Sequence, residues 1–217
     1  MKTEDKHKRI AAYWNERSPL FDEEHDTEDI SLWSQELEKV IGLSGEGKIL
    51  DVGTGTGFLA LMLGQLGYEV IGIDLAEKML ELGRKKAGQM ELSIVFMQSS
   101  CEQLPFPDNS FDAVVNCRVM WTLPEPVQAL KEWKRVLKPG GKVISFMRMM
   151  PIDSAADYYG EDVELPLRKG ERKDYVAAYE TAGLTEIAVT ELPAQMSRAE
   201  DMPSWTMFTG RKAVEEG

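Results

Sequence analysis

The sequence predicts an α/β fold, a mostly parallel sheet with helices on both faces. Three observations predict it. Short apolar runs alternate with helical patterns from residue 46 to 148, and such alternation implies parallel strands joined by crossover helices. Within this stretch, Lys48-Ile-Leu-Asp-Val runs straight into Gly53-Thr-Gly-Thr-Gly57 and then into the helical pattern Phe58-Leu-Ala-Leu-Met-Leu. A second apolar run, Glu69-Val-Ile-Gly-Ile, ends on Asp74. That acid lies roughly twenty residues beyond the glycines, the distance at which a carboxylate meets a ribose in dinucleotide folds.

The elements follow in order. Residues 1–45 read as a helical cap, with helices from Asp5 to Glu16 and from Ile30 to Leu43. In the second, Ile30, Trp33, Leu37, Val40 and Ile41 recur at helix spacing. The run from Asp22 to Asp29 between them is acidic and reads as a solvated loop or helix start. Residues 46–148 form the core, with strands near 47–52, 69–73, 92–97, 112–116 and 142–148. Pro139-Gly140, ahead of the fifth strand, supplies a fixed φ followed by a residue free to take φ > 0. Residues 149–217 differ in character. An irregular stretch carries Tyr158 and Tyr159, a helix over 171–182 stops at Gly183, and strands are expected near 185–192 and 205–211. The 217 residues read as one domain with a substantial core.

Charge and composition narrow the function. Net charge is −12, and no dense Lys/Arg cluster is visible. A chain that grips nucleic acid needs a basic face, so a small-molecule partner is favoured over nucleic acid. No apolar run is long enough to span a membrane, and the charged N-terminus is not a signal peptide. With only two cysteines, Cys101 and Cys117, there is no disulfide framework and no basis for a metal site, and the cytoplasm is the default compartment.

The glycine run carries the chemistry. Glycines at alternate positions let the chain turn tightly off a strand and leave no side chains to hold a ligand away. The helix that follows turns unsatisfied N–H groups toward that ligand. The dinucleotide fingerprint would place its third glycine at residue 58, which here is Phe. The pattern is instead Asp51-x-Gly53-x-Gly55-x-Gly57, followed by Asp74, by Leu104-Pro-Phe-Pro-Asp108 with Ser110-Phe-Asp112, and by Arg135-Val-Leu-Lys-Pro-Gly-Gly141.

These motifs, over residues 46–148, resemble the Rossmann-like (class I) S-adenosylmethionine-dependent methyltransferases of small-molecule type. The resemblance implies a seven-stranded sheet with an antiparallel last strand. It also implies S-adenosyl-L-methionine as cofactor, S-adenosyl-L-homocysteine as product, and methyl transfer by in-line displacement to a small acceptor. By the same resemblance Asp51, Gly53, Thr54, Gly55 and Gly57 approach the methionine end, and Asp74 holds the ribose. Leu75 and Met79 pack on the base; Ser100, Cys101 and Glu102 hold the adenine, and Asn116 follows at the end of the fourth strand.

Two departures matter. Where many members have Asp-Ala-Glu, this chain has Ser100-Cys101-Glu102, and a neutral hydroxyl is a weaker acceptor than a carboxylate. Where relatives often carry paired histidines, it has Trp121-Thr122. The two histidines, His7 and His25, lie in the cap, so the core offers no histidine base. The catalytic assignment therefore stays open, with His25, Tyr13 and Tyr158 as candidates. Arg118 and Arg148 follow the fourth and fifth strands. They are either ligands for an anionic acceptor, with Trp121 beside them, or partners of surface acids. A scaffold that binds the cofactor without methyl transfer, and a tRNA or protein methyltransferase, remain the alternative readings. Oligomeric state is not legible in the chain.

Overall fold

The computed structural model describes residues 3–25, 28–43, 46–149, 159–160, 163–197 and 203–214. Seven strands form one sheet: β1 (Lys48–Val52), β2 (Glu69–Asp74), β3 (Val95–Gln98), β4 (Phe111–Cys117), β5 (Leu137–Arg148), β6 (Thr185–Glu191) and β7 (Trp205–Arg211). Their order is β3-β2-β1-β4-β5-β7-β6. The first five run parallel, and β7 lies antiparallel to both β5 and β6. The order of travel reverses between β1 and β4, the place where open α/β sheets bind ligands at the strands' carboxyl ends.

Helices cover both faces. α2 (Ile30–Ile41), α3 (Phe58–Gln65) and α4 (Glu77–Gln89) lie on one, where Trp33, Leu37, Leu59 and Leu80 pack on Ile49, Val115 and Phe146. α5 (Pro126–Val136) and α6 (Arg172–Thr181) lie on the other, where Trp133, Tyr175 and Tyr179 pack on Leu50, Val114 and Phe208. That second core also holds a polar thread: the Asn116 amide donates to Ser145 Oγ (2.7 Å), which meets the Tyr179 hydroxyl (2.6 Å). Among the described residues no helix is long and apolar enough to cross a membrane.

Three expectations are adjusted. The first helix, α1, runs Thr3–His25 rather than stopping at Glu16. Pro19 sits inside it and removes the N–H that would bond to the Asn15 carbonyl; the Ser18 hydroxyl donates to that carbonyl instead (3.0 Å). Half of the acidic run is therefore helical. β3 starts at Val95 instead of residue 92, because β2 offers it partners only from Ile71 onward. β5 starts early, at Leu137, and absorbs the Pro139-Gly140 turn through a register shift against β4, with Gly140 at φ +79°.

The sheet's two edges are treated differently. β3 is four residues long, and Arg84 of α4 donates to its Phe96 carbonyl (3.0 Å). β6 is solvent-facing along nearly its whole length; its Glu186 and Glu191 pair with Arg211 and Arg172.

Tyr179→Phe deletes one member of the polar thread in a fully buried setting. It is expected to lower unfolding free energy by roughly 1–2 kcal/mol, read as a shift of the denaturant midpoint at constant slope.

Candidate functional site

Between β1 and α3 the chain turns through three left-handed residues: Gly53 (φ +65°), Gly55 (φ +54°) and Gly57 (φ +90°). Their neighbours differ. A Cβ on Gly53 would lie 2.4 Å from Val119 Cγ2, and one on Gly57 would lie 3.1 Å from Phe96 Cζ, so these two are required by packing. A Cβ on Gly55 would meet only Phe21, at 3.9 Å; the middle glycine is the one that keeps space open. Gly72 on β2 is a requirement that the glycine run does not announce. A Cβ there would stand 2.8 Å from Thr54 Oγ1.

Two carboxylates hold the turn. Asp51 Oδ2 accepts from the Thr54 hydroxyl (2.6 Å) and from the Ala60 N–H (3.2 Å) of α3. Asp74 Oδ2 accepts from the Gly55 N–H (3.0 Å) and its Oδ1 from the Ala76 N–H (2.8 Å). Asp74 thus does two jobs, bracing the glycine turn and ordering the entry to α4. Burial pushes the Asp51 carboxyl up to about 7, against the pull of its two donors. Burial also raises Asp74, opposed by the backbone N–H groups around it. Ligands laid along these strand ends meet a floor built on two carboxyl groups whose charge burial disfavours.

α1 roofs that floor. Asp22 accepts from Thr56 Oγ1 of the glycine turn and pairs with Lys86 of α4 (3.0 Å). Asn15 accepts from the Lys78 N–H (2.9 Å), and His7 Nε2 lies 2.9 Å from Glu102 Oε2 beyond β3. On its inner face Ile10, Tyr13 and Trp14 pack with Leu75 and with Tyr159, whose hydroxyl accepts from the Trp14 indole (2.8 Å). Tyr13 stands edge-on to Trp14 and Tyr159, at 5.1 and 5.7 Å between ring centres. Leu75, expected against a base, is here part of the seam with the roof.

The other candidates are placed as follows. Met79, in the first turn of α4, is buried. Ser100 Oγ accepts from the Glu102 N–H (3.1 Å), and Glu102 Oε1 accepts from the Glu125 N–H (2.7 Å). Cys101 lies in the core; its carbonyl accepts from the Trp133 indole (2.9 Å), and burial drives its thiol well above the usual range. Asn116 spends its amide on the interior thread rather than on the glycine turn. Trp121, in a short helical turn (Met120–Thr122), packs half-buried on the α5 core. Tyr158 and the side chain of His25 lie outside the described residues.

Arg118 and Arg148 require a correction. The anion they meet is the chain's own Glu28: Arg118 Nη2 and Arg148 Nη2 donate to its Oε1 at 2.9 and 3.0 Å, and the Trp33 and Trp205 indoles donate to its Oε2 at 3.2 and 2.9 Å. Both guanidinium groups also lie 4.7 Å from the Trp205 ring centre. Glu28, read from the sequence as part of a solvated acidic run, is 2% exposed. A carboxylate so buried must collect donors, and it draws these arginines off the cleft. Little in the local sequence marks it, because three of its four partners stand 90, 120 and 177 residues away and only Trp33 is near. His7 was similarly hidden, although His7, Ile10 and Trp14 share one helical face.

Comparison with known proteins fits this geometry. Residues 50–145 match the methyltransferase-domain family. The chain is 34% identical over 148 residues to the ubiquinone/menaquinone biosynthesis C-methyltransferase UbiE of Geobacter sp. (strain M21), an alignment covering 64% of this chain and 63% of that protein. Among solved structures, the [4+2]-cyclase SpnF superposes with a TM-score of 0.68 at 22% identity, covering 84% of this chain and 80% of the other. A possible histamine N-methyltransferase from Thermotoga maritima superposes with a TM-score of 0.67 at 21% identity, over 94% and 99%. Sheet order, glycine turn and family match agree: residues 50–145 are similar to a methyltransferase domain, carried on a Rossmann-like fold shared with solved methyltransferase structures.

Two outcomes follow from the buried acids. Glu28→Ala leaves two guanidinium groups and two indoles without their shared acceptor, and should cost about 3–5 kcal/mol of stability, measured by chemical denaturation. At Asp51 the native state keeps a proton that the unfolded chain has lost, in the window between the ordinary carboxylate range and about 7. Its contribution to stability therefore falls as pH rises through that window and levels off above it. Asp51→Asn should flatten that part of the stability–pH curve; an unchanged slope would show that other groups carry it.

Proposed function

We propose that the protein transfers a methyl group from S-adenosylmethionine to a small acceptor by in-line displacement. The observation that carries the reading is the pair of carboxylates, Asp51 and Asp74, beside an open glycine under the α1 roof. The residues fit a cationic nucleoside. Gly55 leaves space, Asp74 has lone pairs left for ribose hydroxyls, and two buried acids raised by burial favour a positive charge nearby. When bound, S-adenosylmethionine supplies a methyl group on a sulfonium, a leaving group that needs alignment and exclusion of water more than acid or base assistance.

The chain's own groups do the rest. α1 excludes water from the strand ends, and Tyr13, Trp14 and Tyr159 give the cleft an aromatic wall. Burial raises the Tyr159 phenol, which makes it a poor base, and His7 is engaged by Glu102. The acceptor is therefore a molecule that arrives already nucleophilic. The curated relatives, of which the chain spans 63% in the Geobacter case, are named for quinone C-methylation and as demethylmenaquinone methyltransferases. Together with the aromatic wall, those names favour a planar aromatic acceptor that attacks from an electron-rich ring carbon, the ring proton leaving to water once the methyl group has arrived.

The test is calorimetric titration with S-adenosylmethionine, S-adenosylhomocysteine and NADH, followed by labelled-methyl transfer to hydroquinone, thiol and amine acceptors. Binding of the two sulfur ligands alone, with label appearing in the hydroquinone, is the expected result. Cofactor binding without any labelled product would move the protein to the non-transferring alternative. Asp74→Ala should weaken cofactor binding by roughly 1.5–3 kcal/mol, the scale of a charge-assisted hydrogen bond; unchanged affinity would remove the ribose assignment.

A further inference from the structure

The reading rests on the cofactor assignment above and concerns how the base is selected. A nucleoside whose tail lies on the glycine turn after β1 and whose ribose lies on Asp74 after β2 must extend its base toward β3, the next strand outward. The groups waiting there are Ser100 and Glu102, on the turn that leaves β3, and His7, which comes from the roof.

Their hydrogen bonds leave a defined pattern. Glu102 is nearly buried, at 7% side-chain exposure. Its Oε1 accepts from the Glu125 N–H (2.7 Å) and its Oε2 meets His7 Nε2 (2.9 Å). We assign His7 the tautomer with hydrogen on Nε2, which makes it the donor to the Glu102 carboxyl oxygen at 2.9 Å. An ionised carboxylate offers about four acceptor sites, and two remain. Ser100 Oγ accepts from the Glu102 N–H (3.1 Å) and lies 3.4 Å from the same His7 nitrogen. Because that nitrogen carries its hydrogen, the serine keeps its own proton to donate. The turn thus presents an acceptor, Glu102, beside a donor, Ser100. An aminopurine edge is the complement, with an exocyclic N–H donor next to a ring-nitrogen acceptor. A 6-oxopurine sets its carbonyl oxygen against the carboxylate, two acceptors face to face.

We propose that His7 is the positioning residue for base selection: donating from the roof, it holds Glu102 in the orientation that accepts an exocyclic amino group and leaves the Ser100 proton for the ring. This supplies what the missing Asp at position 100 does not. It also ties recognition of the base to the seating of α1 on the domain, since α1 carries the fixing donor.

The experiment compares S-adenosylhomocysteine with S-inosylhomocysteine, its 6-oxo analogue, by titration of the full chain. The wild type is expected to prefer the amino ligand by roughly tenfold or more, as sites built around a buried polar pair do. His7→Leu should shrink that preference several-fold, and His7→Gln, whose amide N–H can also donate to a carboxylate, should restore most of it. Glu102→Gln, which leaves α1 untouched and can donate to a carbonyl, should reduce the preference as well. Equal weakening of both ligands in His7→Leu would mean that His7 merely holds the helix, and would overturn the proposal. So would an unchanged ratio in Glu102→Gln, or a wild type that binds both ligands alike. A wild type that binds neither ligand would overturn the cofactor reading itself, an outcome distinct from each of these.

Discussion

Glu28 is the interaction on which the upper half of the molecule depends. Taking a carboxylate out of water is costly, and the cost is met only if donors converge on it. Here they come from the ends of β4 and β5, from α2, and from the first residue of β7. Four elements distant in sequence must therefore meet at one point. The Arg148 bond to Ser197 Oγ (2.8 Å) and the Asp29 N–H bond to the Met196 carbonyl (2.9 Å) draw in the segment before β7 as well. The pin lies on the α2 side of the strand ends and joins α2 to the ends of β4, β5 and β7.

What could be read from the sequence was what local chemistry decides. The strands of the core stand out because both faces are buried and their apolar runs are short and bounded. The glycine turn stands out because three left-handed residues in five positions have few other solutions. Asp74 stands out by its distance from that turn, and its bonds to the Gly55 and Ala76 N–H groups brace the turn and the chain leading into α4. The expected helix end at Glu16 falls short of His25: the chain carries Pro19 within the helix, and the Ser18 hydroxyl that bonds the freed carbonyl is a side-chain solution that no periodicity displays. Glu28, Arg118 and Arg148 depart from expectation for another reason. Surface charge is the usual fate of such residues, and only the folded chain shows three of them sharing a buried site.

The division of labour in the cleft follows the same line. The floor, formed by Asp51, Asp74 and the glycines, is set by the sheet and is common property of the fold. That fold is shared with proteins described as a cyclase and as a possible N-methyltransferase, so the fold by itself selects no reaction. What differs from the floor is what is laid near it among the described residues: the inner face of α1 with Tyr159, and Trp121. These are the parts for which the sequence offered candidates rather than roles.

The treatment of the sheet's borders bears on the molecule's behaviour in a crowded solution. An open ladder invites a second chain to add its own strand. β3 offers only four residues, and the Phe96 carbonyl is already occupied by Arg84. β6 is long enough to be a template, yet it is flanked by the charged pairs of Glu186 and Glu191. Val95 on β3 and Val189 on β6 stay exposed, each beside these charged or occupied positions. The net charge of −12 works against association between copies through mutual repulsion.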